Sequence, residues 1–224
     1  TAGEVSAAAV RSVVEELRIA PTADDTSLFT QVYQFVVGRD GSLYVFDLPA
    51  RVLFRFDSAG RLVRRIGRKG AGPGEFNANN GMGVRPSGEL AQWDAANARI
   101  SFFTPDGDFV RSWVLPSGFH TSNGLRSDAS GDLLLYRPVT APREGEILGR
   151  FGLVRLKEGG AFGDSLVPPD LPIQLVTYIA RQGGGTSSTS PTHAPQFRWV
   201  WHPQGYFVSV ATSAYAVEVS RPGR

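Results

Sequence analysis

The stretch GRDGSLYVFDLPARVLFRFDSAGRLVRRIG, residues 38–67, lies without a gap over RPSGELAQWDAANARISFFTPDGDFVRSWV, residues 85–114, at an offset of 47 residues. Gly41 meets Gly88, Asp47 meets Asp94, Phe56 meets Phe103 and Gly60 meets Gly107. A self-match at fixed period constrains the fold more than any composition does, because each copy must be one supersecondary unit that finds its core against its neighbours. A third copy opens with RSDASGDLLLYR (126–137), where Gly131 takes the place of Gly88, and continues with a longer middle through GRFGLVRLKEGGAFGDSLV (149–167). The fourth is WVWHPQGYFVSVATSAYAVEVSRPG (199–223), with Gln204-Gly205 in place of the Asp-Gly turn; the pattern stops there, one strand short.

Inside a unit, SLYVFD and VLFRFD alternate apolar and polar residues with period two, and Asp-Gly or Ala-Gly pairs bound them with the positive φ that tight hairpins use. Each unit therefore predicts about four antiparallel strands. Such a sheet has two apolar faces and cannot cover either alone, so the units must stack face to face around an axis, as the blades of a β-propeller do. The fold class is all-β, with blade-like units at about 31–76, 80–118, 122–167 and 172–224. The 26 glycines and 15 prolines among 224 residues agree with many turns and few helices. Residues 13–20, VVEELRIA, are expected to supply a closing strand over Glu15 to Ile19, with a short helix as the alternative before it. The Gly/Ser/Thr-rich stretch 181–196 is expected as a loop between strands.

A unit that runs from a glycine turn through an aspartate to an Arg-Ile/Val strand, a second turn and the ending Gly-Pro-Gly-Glu-Phe resembles the NHL-type repeats of bacterial six-bladed β-propellers. The resemblance is close over 36–115 and weaker beyond, where Arg137 stands at the aspartate position. It implies six blades, so a chain with four units is expected to be part of a longer ring. It also implies export, to the periplasm, the outer surface or the medium.

The glycines of GRKGAGPGEF (67–76) raise the question of a phosphate cradle, but neither GxxxxGK[ST] nor GxGxxG occurs and no helix signal follows. They read instead as the connection from an outer strand to the next inner one, with Phe76 packed between units. Asp47 and Asp94 recur at one position directly after a strand, where a carboxylate caps turn amides, so they read as structural. The histidines, His120, His193 and His202, lack metal-ligand spacing, cysteine is absent, and no GxSxG element is present. No apolar run approaches the roughly 20 residues of a membrane-spanning helix. The net charge of +2 gives little support to nucleic-acid binding, and the basic run Arg61, Arg64, Arg65, Arg68, Lys69 should split between two faces of an edge strand.

Loops on a rigid scaffold carry binding, so the candidate ligand-binding residues are those of the loop face: Arg51, Arg68, Lys69, Asn79, Asn80, Asn97, Arg99, His120 and Asn123. The expected function is a non-catalytic binding or scaffold module for a protein, peptide or glycan, with no cofactor, no metal and no transmembrane segment. Two alternatives stand beside it: a metal-dependent propeller hydrolase or lyase, which would call on Ca²⁺ or Zn²⁺ in the channel, and an RNA-binding NHL-type domain.

Overall fold

A computed structural model describes residues 15–19, 29–115, 124–142, 149–169, 178–182, 185–189, 197–211 and 216–222. The chain is an all-β propeller segment with four blades. The first comprises β1 (Val32–Val37), β2 (Leu43–Asp47), β3 (Val52–Phe56) and β4 (Leu62–Ile66). The second comprises β5 (Gly81–Val84), β6 (Leu90–Asp94), β7 (Arg99–Phe103) and β8 (Phe109–Val114). In the third, β9 (Leu125–Ser127), β10 (Leu133–Pro138), β11 (Phe151–Leu156) and β12 (Phe162–Leu166) follow the same order, with a 3-10 turn at Glu158–Gly160. A two-stranded hairpin, β13 (Tyr178–Gln182) and β14 (Gly185–Thr189), precedes the three-stranded sheet of the fourth blade, β15 (Phe197–His202), β16 (Tyr206–Ala211) and β17 (Ala216–Ser220). All of these pairings are antiparallel.

The sequence repeat is a backbone repeat as well. Gly41 and Gly88 carry φ of 79° and 84°, Gly60 and Gly107 carry 78° and 91°, and the non-glycines Arg51 and Ala98 share the left-handed region at 55° and 50°. Bulges fall between Arg55 and Phe56 in the first blade and between Phe102 and Phe103 in the second, at the same offset.

Alternation along the second strand of each blade divides its side chains between two cores. In β2, Tyr44 and Phe46 join Leu53, Ile66, Phe76 and Leu90 between the first two blades, while Val45 joins Phe54 and Phe56 on the opposite face. In β6, Leu90 faces the first blade and Trp93 faces the third, where it meets Ile100, Leu125, Leu133 and Leu135. Leu133 and Leu135 of β10 turn back to that core, and Leu134 turns forward to Trp201 and Phe207 of the fourth blade. Each large apolar side chain so enclosed contributes about 2 kcal/mol relative to exposure. The cores between blades therefore hold the blades in register.

Two expectations need correction. Residues 15–19 pair with no strand among the described residues; Leu17 and Ile19 lie against Gly60, and Ile19 covers the first blade's free face with Phe29. Their role is apolar cover, which needs no ladder. Within 181–196, residues 181–182 and 185–189 are strand rather than loop, paired from Tyr178↔Thr189 to Gln182↔Gly185. Gly183-Gly184 separates the strands in sequence, which is the dipeptide type that two-residue hairpins favour, and threonine suits an extended backbone.

Candidate functional site

The loop face is built by the repeated aspartates. Asp94, fully buried, accepts the backbone N–H of Asn77 at 2.7 Å, of Ala78 at 3.1 Å and of Asn97 at 3.1 Å, and the Asn97 Nδ2–H at 2.9 Å. Asp47 does the same one blade earlier, for Thr30, for Gln31 at 3.3 Å and for Ala50 at 3.2 Å. Each carboxylate thus ties the chain entering a blade to that blade's next hairpin, and the cost of burying it is met by its donors.

The glycine-rich connection is anchored by the same neighbourhood. Phe76 is completely enclosed and packs edge-on to Phe46, with ring centres 5.6 Å apart, and against Phe103 at 5.7 Å. Arg99 donates to the carbonyls of Ala71, Gly72 and Glu75 at 2.7, 2.6 and 2.9 Å, and Asn97 Nδ2 donates to that of Gly70 at 3.0 Å. Glu75 accepts from Arg68 at 2.7 Å and from the Gly72 amide at 2.8 Å; these bonds, Arg68 first, hold its carboxyl below the usual range. A Cβ on Gly67 would strike the Phe76 ring.

The sequence candidates divide accordingly. Asn79 and Asn80 are buried: Asn79 donates to Gln34 Oε1 at 3.1 Å, and Asn80 Oδ1 accepts the Ala95 amide at 3.0 Å. Asn97 and Arg99 hold the connection, and Arg68 is ion-paired. Lys69 is exposed and Arg51 half-buried in its left-handed turn. His120 and Asn123 lie outside the described residues. Within the basic run, Arg61 pairs with Asp57 at 2.7 Å, Arg64 with Asp108 at 2.8 Å, and the Arg65 guanidinium lies 5.3 Å from the centre of the Phe54 ring. Arg137, at the aspartate position of the third blade, stacks its guanidinium 4.3 Å from the centre of the Phe162 ring. Among the described residues, no group of three His, Cys, Asp or Glu could hold a metal ion. His202 stacks on Tyr206 at 4.3 Å and accepts the Gln204 amide at 3.2 Å.

A cavity of about 360 Å³ opens at the other end of the inner strands, and sequence reading did not single it out. Its wall takes Val36 and Val37 from β1, Met82 to Val84 from β5, Arg126 and Ser127 from β9, and Trp201 with Pro203 from β15 and its turn. All four blades contribute, so the cavity is axial. The registers place it: Val37 is opposite Leu43 and Val84 opposite Leu90, whereas Asp47 and Asp94 sit at the far ends of those ladders. β5 and β9 come together closely. A Cβ on Gly81 would fall 2.8 Å from Leu125 Cβ and nearer still to its backbone nitrogen, and one on Gly83 would meet the Ser127 nitrogen at 3.1 Å.

Around the cavity's end, each of the first three blades fixes its first turn with an arginine. Arg55 lies 3.7 Å from Asp40, Arg85 donates to Glu89 at 3.0 Å beside a second bond from Arg111, and Arg155 meets Asp128 at 3.2 Å and also Asp132. Burial alone would raise the Glu89 and Asp128 carboxyls. For Glu89, bonds from Arg111 and Arg85 outweigh that effect; for Asp128, bonds from Ser130, the Asp132 amide and Arg155 do, so both lie below the usual range.

Over residues 19–125, just under half the chain, the sequence matches the model of a family described as a 6-bladed beta-propeller. The structure is similar to a candidate exported protein from Bacteroides fragilis, with a TM-score of 0.55 and 20% identity over 91% of this chain and 53% of that one. The chain thus spans about half the length of that protein. Virginiamycin B lyase from Staphylococcus aureus gives a TM-score of 0.44 at 14% identity, over 85% of this chain and 69% of that one. YCF48 bound to D1 peptide gives 0.46 at 13% identity, over 91% and 53%. The likeness to the Bacteroides protein is one of fold. No curated protein matches the chain significantly. Among the described residues, no helix is long and apolar enough to cross a membrane.

Proposed function

We propose that the chain is a non-catalytic binding module, part of an exported six-bladed propeller of the NHL type, and that it takes its ligand at the axis. The axial cavity carries this reading: about 360 Å³ of space, walled by valines, Met82 and Trp201 and supplied by four separate blades. Concave, largely apolar space with a few polar groups is the ordinary form of a ligand site, and here it rests on inner strands that the cores between blades hold in place.

The test is a titration with the neutral dye N-phenyl-1-naphthylamine, read by its fluorescence. The unaltered chain binds it, and Val84→Phe, which fills the cavity from β5, abolishes the signal while retaining cooperative unfolding. Equal dye binding by both proteins, or none by either, overturns the reading.

A further inference from the structure

The cavity's charge is one-sided. Arg126 is the one ionisable side chain among the described residues of the wall, and none of the described acidic groups lies within ion-pair distance of it. The carboxylates at this end of the blades are already engaged: Asp40 by Ser42 and Arg55, Glu89 by Arg85 and Arg111, Asp128 and Asp132 by Arg155. Burial pulls the Arg126 guanidinium below its ordinary value, opposed by Tyr136, yet an arginine stays charged in any protein setting. Trp201, only 9% exposed, offers this wall ring surface, its indole N–H being enclosed in the protein. Ser127 Oγ lies 3.4 Å from the Asp128 carbonyl, to which it donates. What this wall lacks is a negatively charged acceptor.

Half-buried charge without a counter-ion is costly. One ligand chemistry answers it while using the valines and Met82. Resting on the binding reading above, we propose that the axial cavity takes a small amphipathic carboxylate, its acid group on Arg126 and its apolar body between Val36, Met82, Val84 and Trp201. The guanidinium presents a planar fork that matches a carboxylate in two parallel bonds. A compound of a dozen heavy atoms fits the volume, and the apolar wall sets a preference for an aryl or alkyl body over a sugar.

The experiment compares 4-phenylbutyrate with 4-phenylbutan-1-ol, which share the body and differ at the acid group, by calorimetry on this chain and on Arg126→Met. The unaltered chain is expected to bind the carboxylate about tenfold more tightly than the alcohol, the scale of a charge-assisted bond over a neutral one. Arg126→Met should bind both alike, and Arg126→Lys should keep part of the preference. Equal affinity in the unaltered chain overturns the inference without any variant, as does a preference that survives Arg126→Met. Should the alcohol and the neutral dye bind with no advantage to the acid, the anion inference falls and the binding reading stands; should nothing bind, both fall.

Discussion

Replacing Asp94 with alanine removes four hydrogen bonds at one stroke and is the most direct trial of the idea that the repeated aspartates are structural. The carboxylate is fully buried, and its partners are three backbone amides and the Asn97 side chain. A bond to a charged group contributes about 1.5–3 kcal/mol, but water entering the vacated space at the partly buried amides recovers some of that. About 4 kcal/mol of destabilisation is therefore expected for Asp94→Ala, a large share of the 5–15 kcal/mol typical of a domain. Asp94→Asn keeps the shape and one accepting oxygen but turns an amide NH₂ toward donors, so about 2 kcal/mol is expected. The assay is urea unfolding followed by tryptophan fluorescence, since Trp93 is the adjacent residue. Adding Ca²⁺ or a chelator should leave all three midpoints where they are. A loss below about 1 kcal/mol for Asp94→Ala, or a midpoint that follows Ca²⁺, would refute the capping account.

Gly81→Ala should destabilise by about 3 kcal/mol in the same assay, because its Cβ has only the Leu125 backbone to move and packed strands do not yield; a change under 0.5 kcal/mol would show that β5 and β9 are not so close. The Glu89 carboxyl, held below its usual range, gives stability above about pH 4.3 that fades as pH falls through its lower folded value. The advantage of the unaltered chain over Glu89→Gln is accordingly expected in full at pH 7 and should shrink as pH falls below about 4.3; a gap that does not shrink at all on acidification would mean that the carboxylate's charge is not what matters.

Much of the architecture was legible because the physics repeats with the sequence. Glycines at 41, 60, 88 and 107 allow the positive φ that each hairpin turn needs, and alternation in LYVFD and LAQWD writes out which side chain faces which neighbour. Asp47 and Asp94 were legible for the same reason. Asn79, Asn80, Asn97 and Arg99 looked available because polar loop residues advertise hydrogen-bonding groups, and nothing local states that the Gly70, Ala71 and Gly72 carbonyls will come to meet Asn97 and Arg99, or that Gln34 and the Ala95 amide will engage Asn79 and Asn80. The axial cavity was out of reach for a different reason: its wall joins residues from 36 to 203, each ordinary in its own strand. Arg126 became notable only once the acids around it proved to be engaged elsewhere. Apolar cover by Leu17 and Ile19 likewise needs a partner surface that no window around residue 17 contains.

The division of β6 between Leu90 on one side and Trp93 on the other has a consequence for how such a chain tolerates length changes. Deleting one residue there would send the indole toward the first blade and a polar neighbour toward the third, spoiling two interfaces with a single edit. Longer insertions are absorbed between strands, and that is where the third blade carries its extra length, between Pro138 and Phe151. The ring behaves as a book whose pages can gain a longer margin but cannot lose a line.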